Sequence, residues 1–298
     1  MKKVINQAIT EHYALYNGDS CEVMQGLPDE SIDYSIFSPP FEDLYTYSDS
    51  PRDLGNCRST EEFYKQFGYI VAELFRITKP GRLVSIHCMD LPTTKASDGF
   101  IGLRDFPGIL RELFQDYGFY YHSKITIWKD PVVAMQRTKH IGLLHKQLKK
   151  DSAMSRQGIA DYIATMRKPG ENKEPITHTN ESFPVSKWQE YASPVWMNIR
   201  QSNTLNRTSA REERDEKHIC PLQLDVIERC IELWTNPGDT VFTPFLGIGS
   251  EAYQSIKMHR KAVGIELKES YFEQAVKNCE RAANAEEQLE FLFEGDEE

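Results

Sequence analysis

From Pro221 onward the chain alternates between two apolar periods, and this alternation limits what it can become. Leu224, Ile227, Ile231 and Leu233 share one face of a helix expected over 222–234, closed by Asn236-Pro237-Gly238-Asp239. A strand is expected over 240–244, a helix over 249–258, a strand over 261–266 and a helix over 270–283. The N-terminal part behaves the same way. A short strand over 13–17 ends at Gly18-Asp19, a helical turn runs through Met24 to a break at Leu27-Pro28, and a strand follows over 32–37. Phe63, Phe67, Ile70, Val71, Leu74 and Phe75 then fall at helical spacing over 60–78, with Ser59 and Glu62 placed as a capping box and Pro80-Gly81 as the stop. A buried strand over 82–88, a helix over 103–117 and a long strand or hairpin arm over 118–128 complete this part. Strands and helices in alternation build an open α/β sheet.

The middle of the chain breaks the rhythm. Residues 129–216 are polar, basic and rich in breakers such as Pro169-Gly170 and Pro175, so they read as an insertion grafted on the sheet. The expected organisation is therefore 1–128, an inserted 129–216, a second half over 217–284, and an acidic tail over 285–298. Charge follows the same division. The 298 residues carry a net charge of −10, yet His122 to His218 holds 17 Lys and Arg against 11 Asp and Glu, while seven acids lie between Glu286 and Glu298. A polyanion would dock on the middle.

No stretch is long and apolar enough to span a membrane, and the first residues lack the apolar core of a signal peptide, so a cytoplasmic protein is expected. Six cysteines, at 21, 57, 88, 220, 230 and 279, form no C-x-x-C pair and no zinc spacing. Reduced, mostly buried thiols and no metal are the expectation.

Two turns carry chemistry. The strand expected over 32–37 runs into Ser38-Pro39-Pro40-Phe41. Two prolines end a ladder and hold the backbone stiffly with its carbonyls unpaired, although such a turn can also be plain punctuation. The Ser38 hydroxyl and Pro39 carbonyl could accept both hydrogens of an amino group on a planar base, with Phe41 stacking on the ring. The second turn is Thr243-Pro244-Phe245-Leu246-Gly247-Ile248-Gly249-Ser250, a strand entering a glycine-rich bend that opens a helix. Glycines there let backbone approach a ligand, and Glu266, closing the next strand, is placed to bond ribose hydroxyls. A G-x-G alone also fits an ordinary βα turn. The missing third glycine and the C-terminal position argue against a nicotinamide dinucleotide site.

Taken together, the Ser-Pro-Pro-Phe turn, the Pro-Phe-Leu-Gly-Ile-Gly-Ser turn and the upstream Lys217-His218-Ile219-Cys220-Pro221-Leu222 resemble the motifs of the β-class DNA amino-methyltransferases, and the segment from Trp196 to Arg207 resembles that of phage or prophage methylases of this type. The resemblance covers about 1–128 and 217–284, in that class's order of catalytic motif, variable region and cofactor motif. It implies a doubly wound, mostly parallel, seven-stranded-type sheet with the circularly permuted fold of S-adenosylmethionine-dependent methyltransferases, and 129–216 as a target-recognition region. It implies methyl transfer from S-adenosylmethionine to the exocyclic amine of a flipped-out base, as in restriction-modification. Ser38, Pro39, Pro40 and Phe41 would be catalytic. Asp19, Thr243, Pro244, Phe245, Gly247, Gly249, Ser250, Glu266, His218, Cys220 and Pro221 would bind the cofactor. Thr243 departs from the Asp usual there, and Asp19 or Glu42 is expected to supply the lost charge.

The resemblance implies N4 of cytosine as the favoured target, since Ser stands at the first motif position mostly in cytosine enzymes of the family, with N6 of adenine as the alternative; a catalytically silent DNA-binding relative is the reading from another class. Tyr45 and Tyr47 could receive the base or pack. Double-stranded DNA is the expected partner, and a homodimer is an expectation by resemblance. From Arg137 to Lys150 five Lys and Arg occur without an acid, and Ile141, Leu144 and Leu148 would line one side of a helix there. Arg137, Lys139, Lys146, Lys149, Lys150 and Arg156 are therefore candidates for DNA contact. His87 and His122, in apolar strands, read as structural, and Trp188 and Trp196 as supports of a small core in the insertion.

Overall fold

The computed structural model describes residues 4–40, 60–96, 98–138, 143–206 and 221–294, with the side chains of 60, 137, 138 and 286–294 excepted. Along the chain lie β1 (Asn6–Ile9), β2 (Tyr13–Asn17), α1 (Ser20–Met24), β3 (Ile32–Phe37), α2 (Thr60–Ile77) and β4 (Thr78–Met89). A small ribbon of β5 (Leu91–Pro92) and β6 (Leu103–Arg104) precedes α3 (Phe106–Asp116) and β7 (Tyr120–Ile127). Then come α4 (Pro131–Thr138), α5 (His145–Leu148), β8 (Asp161–Arg167), α6 (Val185–Tyr191) and β9 (Val195–Trp196). The chain closes with α7 (Leu224–Trp234), β10 (Thr240–Thr243), α8 (Ser250–Lys257), β11 (Lys261–Glu266) and α9 (Glu269–Glu294).

Nine of these strands form one sheet in the order β1-β2-β11-β10-β3-β4-β8-β7-β9. Neighbours from β2 to β4 are parallel, β8 runs antiparallel between β4 and β7, and β1 and β9 are short additions at the edges. The expected mostly parallel, doubly wound sheet is therefore present. Strand alternation explains the two layers: Phe37 and Phe242 point into one cluster, while Tyr34, Ile36 and Val241 point into another. Phe63, Phe67, Ile70, Val71 and Leu74 of α2, none more than 2% exposed, cover the first face together with α3. Val226, Ile227 and Ile231 of α7 cover the opposite face, and Ile256 and Phe272 bring α8 and α9 against β2 and β11. Each such side chain contributes roughly 1.5–3 kcal/mol of burial free energy.

The order reverses between β10 and β3. From β10 the chain crosses through α8 to β11 on one side, and from β3 through α2 to β4 on the other. Doubly wound sheets bind ligands beyond the strand carboxyl ends at such a point.

Beneath the opposite, amino ends of the same strands lies an ion network. Arg82, 1% exposed, sets Nη1 3.0 Å from Asp239 Oδ2 and Nη2 3.3 Å from Asp33 Oδ1. Lys79 donates to Asp33 Oδ1 at 2.6 Å, and Asp33 Oδ2 accepts the Thr240 amide at 2.9 Å. Asp33, Asp239 and Glu174 bring carboxylate oxygens within 4.8 Å of one another, and the protein's own Arg82 and Lys79 supply the cations between them.

Several expectations need correction. Asp161–Arg167, inside the stretch read as an insertion, is an interior strand of the sheet. Helix α2 ends at Ile77, just ahead of the expected stop, but β4 begins at Thr78 and not at Arg82, so Pro80-Gly81 lies within that strand beside a register shift against β3, with Gly81 at φ 73. The residues from Arg137 to Lys150 do not make one amphipathic helix. Leu144 is extended ahead of the four-residue α5, and Leu148 is half exposed, so neither lines a packed side. The acidic tail begins as helix, because α9 runs on to Glu294 through strong helix formers. Trp196 is buried against the main core beside Tyr34 and Ile36, whereas Trp188 is exposed; His122, too, is exposed. Of the described cysteines, Cys88, Cys230 and Cys279 are buried and Cys21 partly so, all as free thiols.

Candidate functional site

The two turns singled out in the sequence meet at the reversal point. β3 and β10 are adjacent and parallel, with Val241 opposite Tyr34 and Phe242 opposite Ser35, so Ser38 and Pro244 leave the sheet at the same end. Phe37 and Phe245 touch there, their ring centroids 5.7 Å apart, and Phe245 stacks on Phe67 at 6.0 Å. Pro39 is buried, Ser38 and Pro40 half-buried. Phe41, Glu42, Tyr45, Tyr47, Lys139, His218 and Cys220 lie outside the described residues, as does the side chain of Arg137.

The glycine turn is held from three sides. Gly247 at φ 54 and Gly249 at φ 88 adopt the left-handed region, which an L side chain resists. A Cβ on Gly249 would lie 3.0 Å from Ala275 Cβ, so the helix α9 can close on the turn only over glycine. Glu266 accepts the Gly247 amide on Oε2 at 2.7 Å and the Lys268 amide on Oε1 at 2.9 Å. Ser20 donates to the Pro244 carbonyl at 2.5 Å, while Asp19 caps α1 by accepting from the Glu22 amide at 3.1 Å. Asn17, wholly buried at the end of β2, donates to the carbonyls of Glu266 and Leu267 at 2.8 and 3.1 Å. Asp19, Thr243 to Ser250 and Glu266 thus come together on neighbouring strand ends. Pro221 stands just ahead of α7, whose Leu224 packs in the small cluster around Ile248 of the turn.

The crevice retains unspent capacity. Thr243 Oγ1 and Ser250 Oγ are buried without a hydrogen-bond partner among the described residues, and a Cβ on Gly247 would meet open space. These groups fit a polar ligand carrying donors and acceptors. Burial pushes the carboxyl of Glu251, in the first turn of α8, up to about 8. Glu251 is therefore mostly neutral near pH 7 and does not replace the charge that Thr243 lacks.

On the other flank, Ser38 Oγ lies 2.8 Å from Nδ1 of His87 in β4. The Nε2 of His87 lies 3.2 Å from Oδ2 of Asp161, in contact though off the line of an ideal hydrogen bond. Lys129 donates to Oδ1 of the same carboxylate at 2.5 Å. Burial raises the Asp161 pKa, but His87 and Lys129 outweigh it and hold the carboxyl below its usual value. Sequence reasoning missed this row: His87 reads as one residue of an apolar strand, and Asp161 enters only through the antiparallel β8. The available signal was polar residues near strand ends: Ser38 just after β3, His87 two residues before the end of β4, and Asp161 opening β8.

The residues expected to contact DNA lie apart from this crevice on the chain. Lys146, Lys149 and Lys150 are exposed on and after α5. Arg156 is half-buried, donates to the Gln157 carbonyl at 3.1 Å, and has its pKa lowered by burial.

Residues 32–277, which include β3, β10 and both turns, match the DNA methylase family N6_N4_Mtase. The chain belongs to this family. The type II methyltransferase M.BglII of Bacillus subtilis is 23% identical over 259 residues, covering 86% of this chain and 66% of that one, just under two-thirds of its length. Among solved structures, the Thermus thermophilus protein TTHA0409 in complex with S-adenosyl-L-methionine superposes with a TM-score of 0.65 at 22% identity, covering 91% of this chain and 96% of that one. The PvuII DNA methyltransferase, cytosine-N4-specific, gives 0.64 at 16% identity, with 94% and 96% covered. Both likenesses show the methyltransferase fold, and the family's cofactor is S-adenosylmethionine. Among the described residues of this chain no helix is long and apolar enough to cross a membrane.

Proposed function

We propose that this methylase transfers a methyl group from S-adenosylmethionine to the exocyclic amine of a base flipped out of duplex DNA, with N4 of cytosine as the target. The observation that carries the reading is the adjacency of the Ser38-Pro39-Pro40 corner and the glycine turn on neighbouring parallel strands. Glu266, Asp19 and the turn from Thr243 to Ser250 would hold the nucleoside and amino-acid ends of the cofactor, beside the unpartnered Thr243 and Ser250 hydroxyls. Bound there, S-adenosylmethionine supplies a methyl carbon activated by its positive sulfur. The chain supplies position and acceptors. Ser38 Oγ and the Pro39 carbonyl accept the two amine hydrogens, which turns the nitrogen lone pair out of conjugation and towards the methyl group. Base flipping is required because the amine is out of reach inside the stack. Lys146, Lys149 and Lys150, exposed together, would meet phosphates, with the parts of 130–216 outside β8 choosing the sequence.

The Ser at position 38 and the fold shared with a cytosine-N4-specific enzyme support cytosine. A hydroxyl can equally accept from the N6 amine of adenine, which is the second reading. Incubation with unmethylated DNA and S-adenosylmethionine, followed by nucleoside mass spectrometry, is expected to yield N4-methylcytosine. N6-methyladenine would reassign the base. An unmethylated product together with no calorimetric binding of the cofactor would point to a silent relative and overturn the reading.

Replacement of Glu266 tests the cofactor half separately. Its carboxylate accepts two amides that shape the turn, and hydrogen bonds to a charged group contribute about 1.5–3 kcal/mol each. Glu266→Ala should weaken cofactor binding by about tenfold or more in calorimetry. An unaltered dissociation constant would remove Glu266 from the cofactor site.

A further inference from the structure

Ser38 faces two ways, towards the proposed base and towards His87. We propose that His87 and Asp161 are positioning residues of the methyl-transfer site: they take up the Ser38 hydroxyl hydrogen, leave its oxygen an acceptor for the base amine, and receive the proton which the methylated amine sheds. This inference rests on the function proposed above and adds a proton path to it.

The direction of the hydrogens follows from the acceptor at the far end of the row. Asp161 is 2% exposed and has Lys129 on its second oxygen. An ionised carboxylate only accepts, so with Oδ2 3.2 Å from Nε2, though off the ideal hydrogen-bond line, the negative oxygen favours an N–H over a lone pair on that nitrogen. When the ring carries a single hydrogen, that hydrogen is therefore placed on Nε2, and Nδ1 is the bare nitrogen. At 2.8 Å from Ser38 Oγ, Nδ1 can only accept, so the serine O–H points back at His87. The oxygen lone pairs then face forward into the crevice, where an amine N–H would arrive. A serine left to rotate freely in water would spend part of its time donating instead.

The same row accounts for a proton. Once the amine nitrogen carries the methyl group it is positively charged, and one N–H bond must break with its electron pair staying on nitrogen. That proton passes to Ser38 Oγ as the serine's own hydrogen passes to His87 Nδ1. Serine ends as it began, and the ring becomes an imidazolium. Asp161 stands in contact with that new charge, with Lys129 limiting how strongly it pulls. The arrangement has the acceptor chain of a hydroxyl, an imidazole and a buried carboxylate, used here without a covalent intermediate.

The test is His87→Asn in the full chain. The Asn side chain can still accept from Ser38 but cannot hold a proton. Single-turnover methylation of DNA at saturating cofactor should fall at least tenfold, while the calorimetric dissociation constant of S-adenosylmethionine stays within twofold of wild type. A rate within twofold of wild type would overturn the proposal. Should the variant fail to fold, the ring nitrogens of the ¹⁵N-histidine-labelled wild-type chain decide instead. A His87 ring protonated on Nε2 and bare on Nδ1 supports the row, and the opposite tautomer refutes it. A wild-type chain that methylates nothing would sink the proposed function, and the tautomer would still judge the Ser38–His87 arrangement by itself.

Discussion

Ser38→Ala is expected to lower single-turnover methyl transfer by about 10²-fold or more, with cofactor binding nearly unchanged. The size follows from losing one preorganised partner of a group whose charge develops in the transition state, roughly 2.7–4 kcal/mol. Geometry supports the separation of the two effects. Ser38 sits at the end of β3 with His87 behind it, whereas the amides and hydroxyls of the glycine turn belong to β10, α8 and β11. Alanine removes the oxygen without moving the proline pair, since Pro39 and Pro40 fix their own φ. The measurement pairs a tritium-methyl transfer assay with calorimetry. Unchanged turnover would remove Ser38 from the reaction, and a weakened cofactor affinity would place it in the wrong half of the crevice.

Arg82→Met should destabilise the fold by about 3–5 kcal/mol, the usual consequence of leaving buried partners without their counter-charge. Arg82 is fully enclosed and meets both Asp33 and Asp239, and Asp33 also accepts the first amide of β10. Removing the guanidinium leaves two carboxylates near the starts of β3 and β10, Asp33 with Lys79 and Asp239 with the charge of Arg260 nearby. Those are the strands that carry the two functional turns, so the same change should loosen the crevice at their far ends. Lys79→Met is the control. Lys79 is about one-third exposed, with water available to replace it, and its loss should cost less than about 1 kcal/mol. Urea unfolding of the two variants checks both values, and equal effects would contradict this account of the network.

Much of the sheet was legible because its strands repeat a local pattern. β2, β3 and β11 lie where alternation and the flanking breakers put them, and the apolar spacing of Phe63 to Leu74 marks α2 to within a residue. β8 was not legible. Its apolar stretch, Tyr162 to Met166, is short, ends in Arg167-Lys168-Pro169-Gly170, and follows a basic segment that favoured an irregular reading. Only pairing with β4 and β7 on both sides makes it an interior strand. The two turns could be read because each is contiguous. The Ser38, His87, Asp161 and Lys129 row could not, since it draws on three strands and a loop that local periodicity does not connect. Asn17 shows the same limit: nothing local says that a strand-ending amide will bind the carbonyls at the end of β11 and just beyond it.

The most direct test of a shared crevice between β10 and β3 is a crystal structure with S-adenosylhomocysteine bound. The account predicts ribose hydroxyls at Glu266, the backbone of the Gly247 turn against the ligand, and the sulfur opening towards Ser38 and Pro39. A ligand seated elsewhere, or with its sulfur turned away from the Ser-Pro-Pro corner, would contradict it.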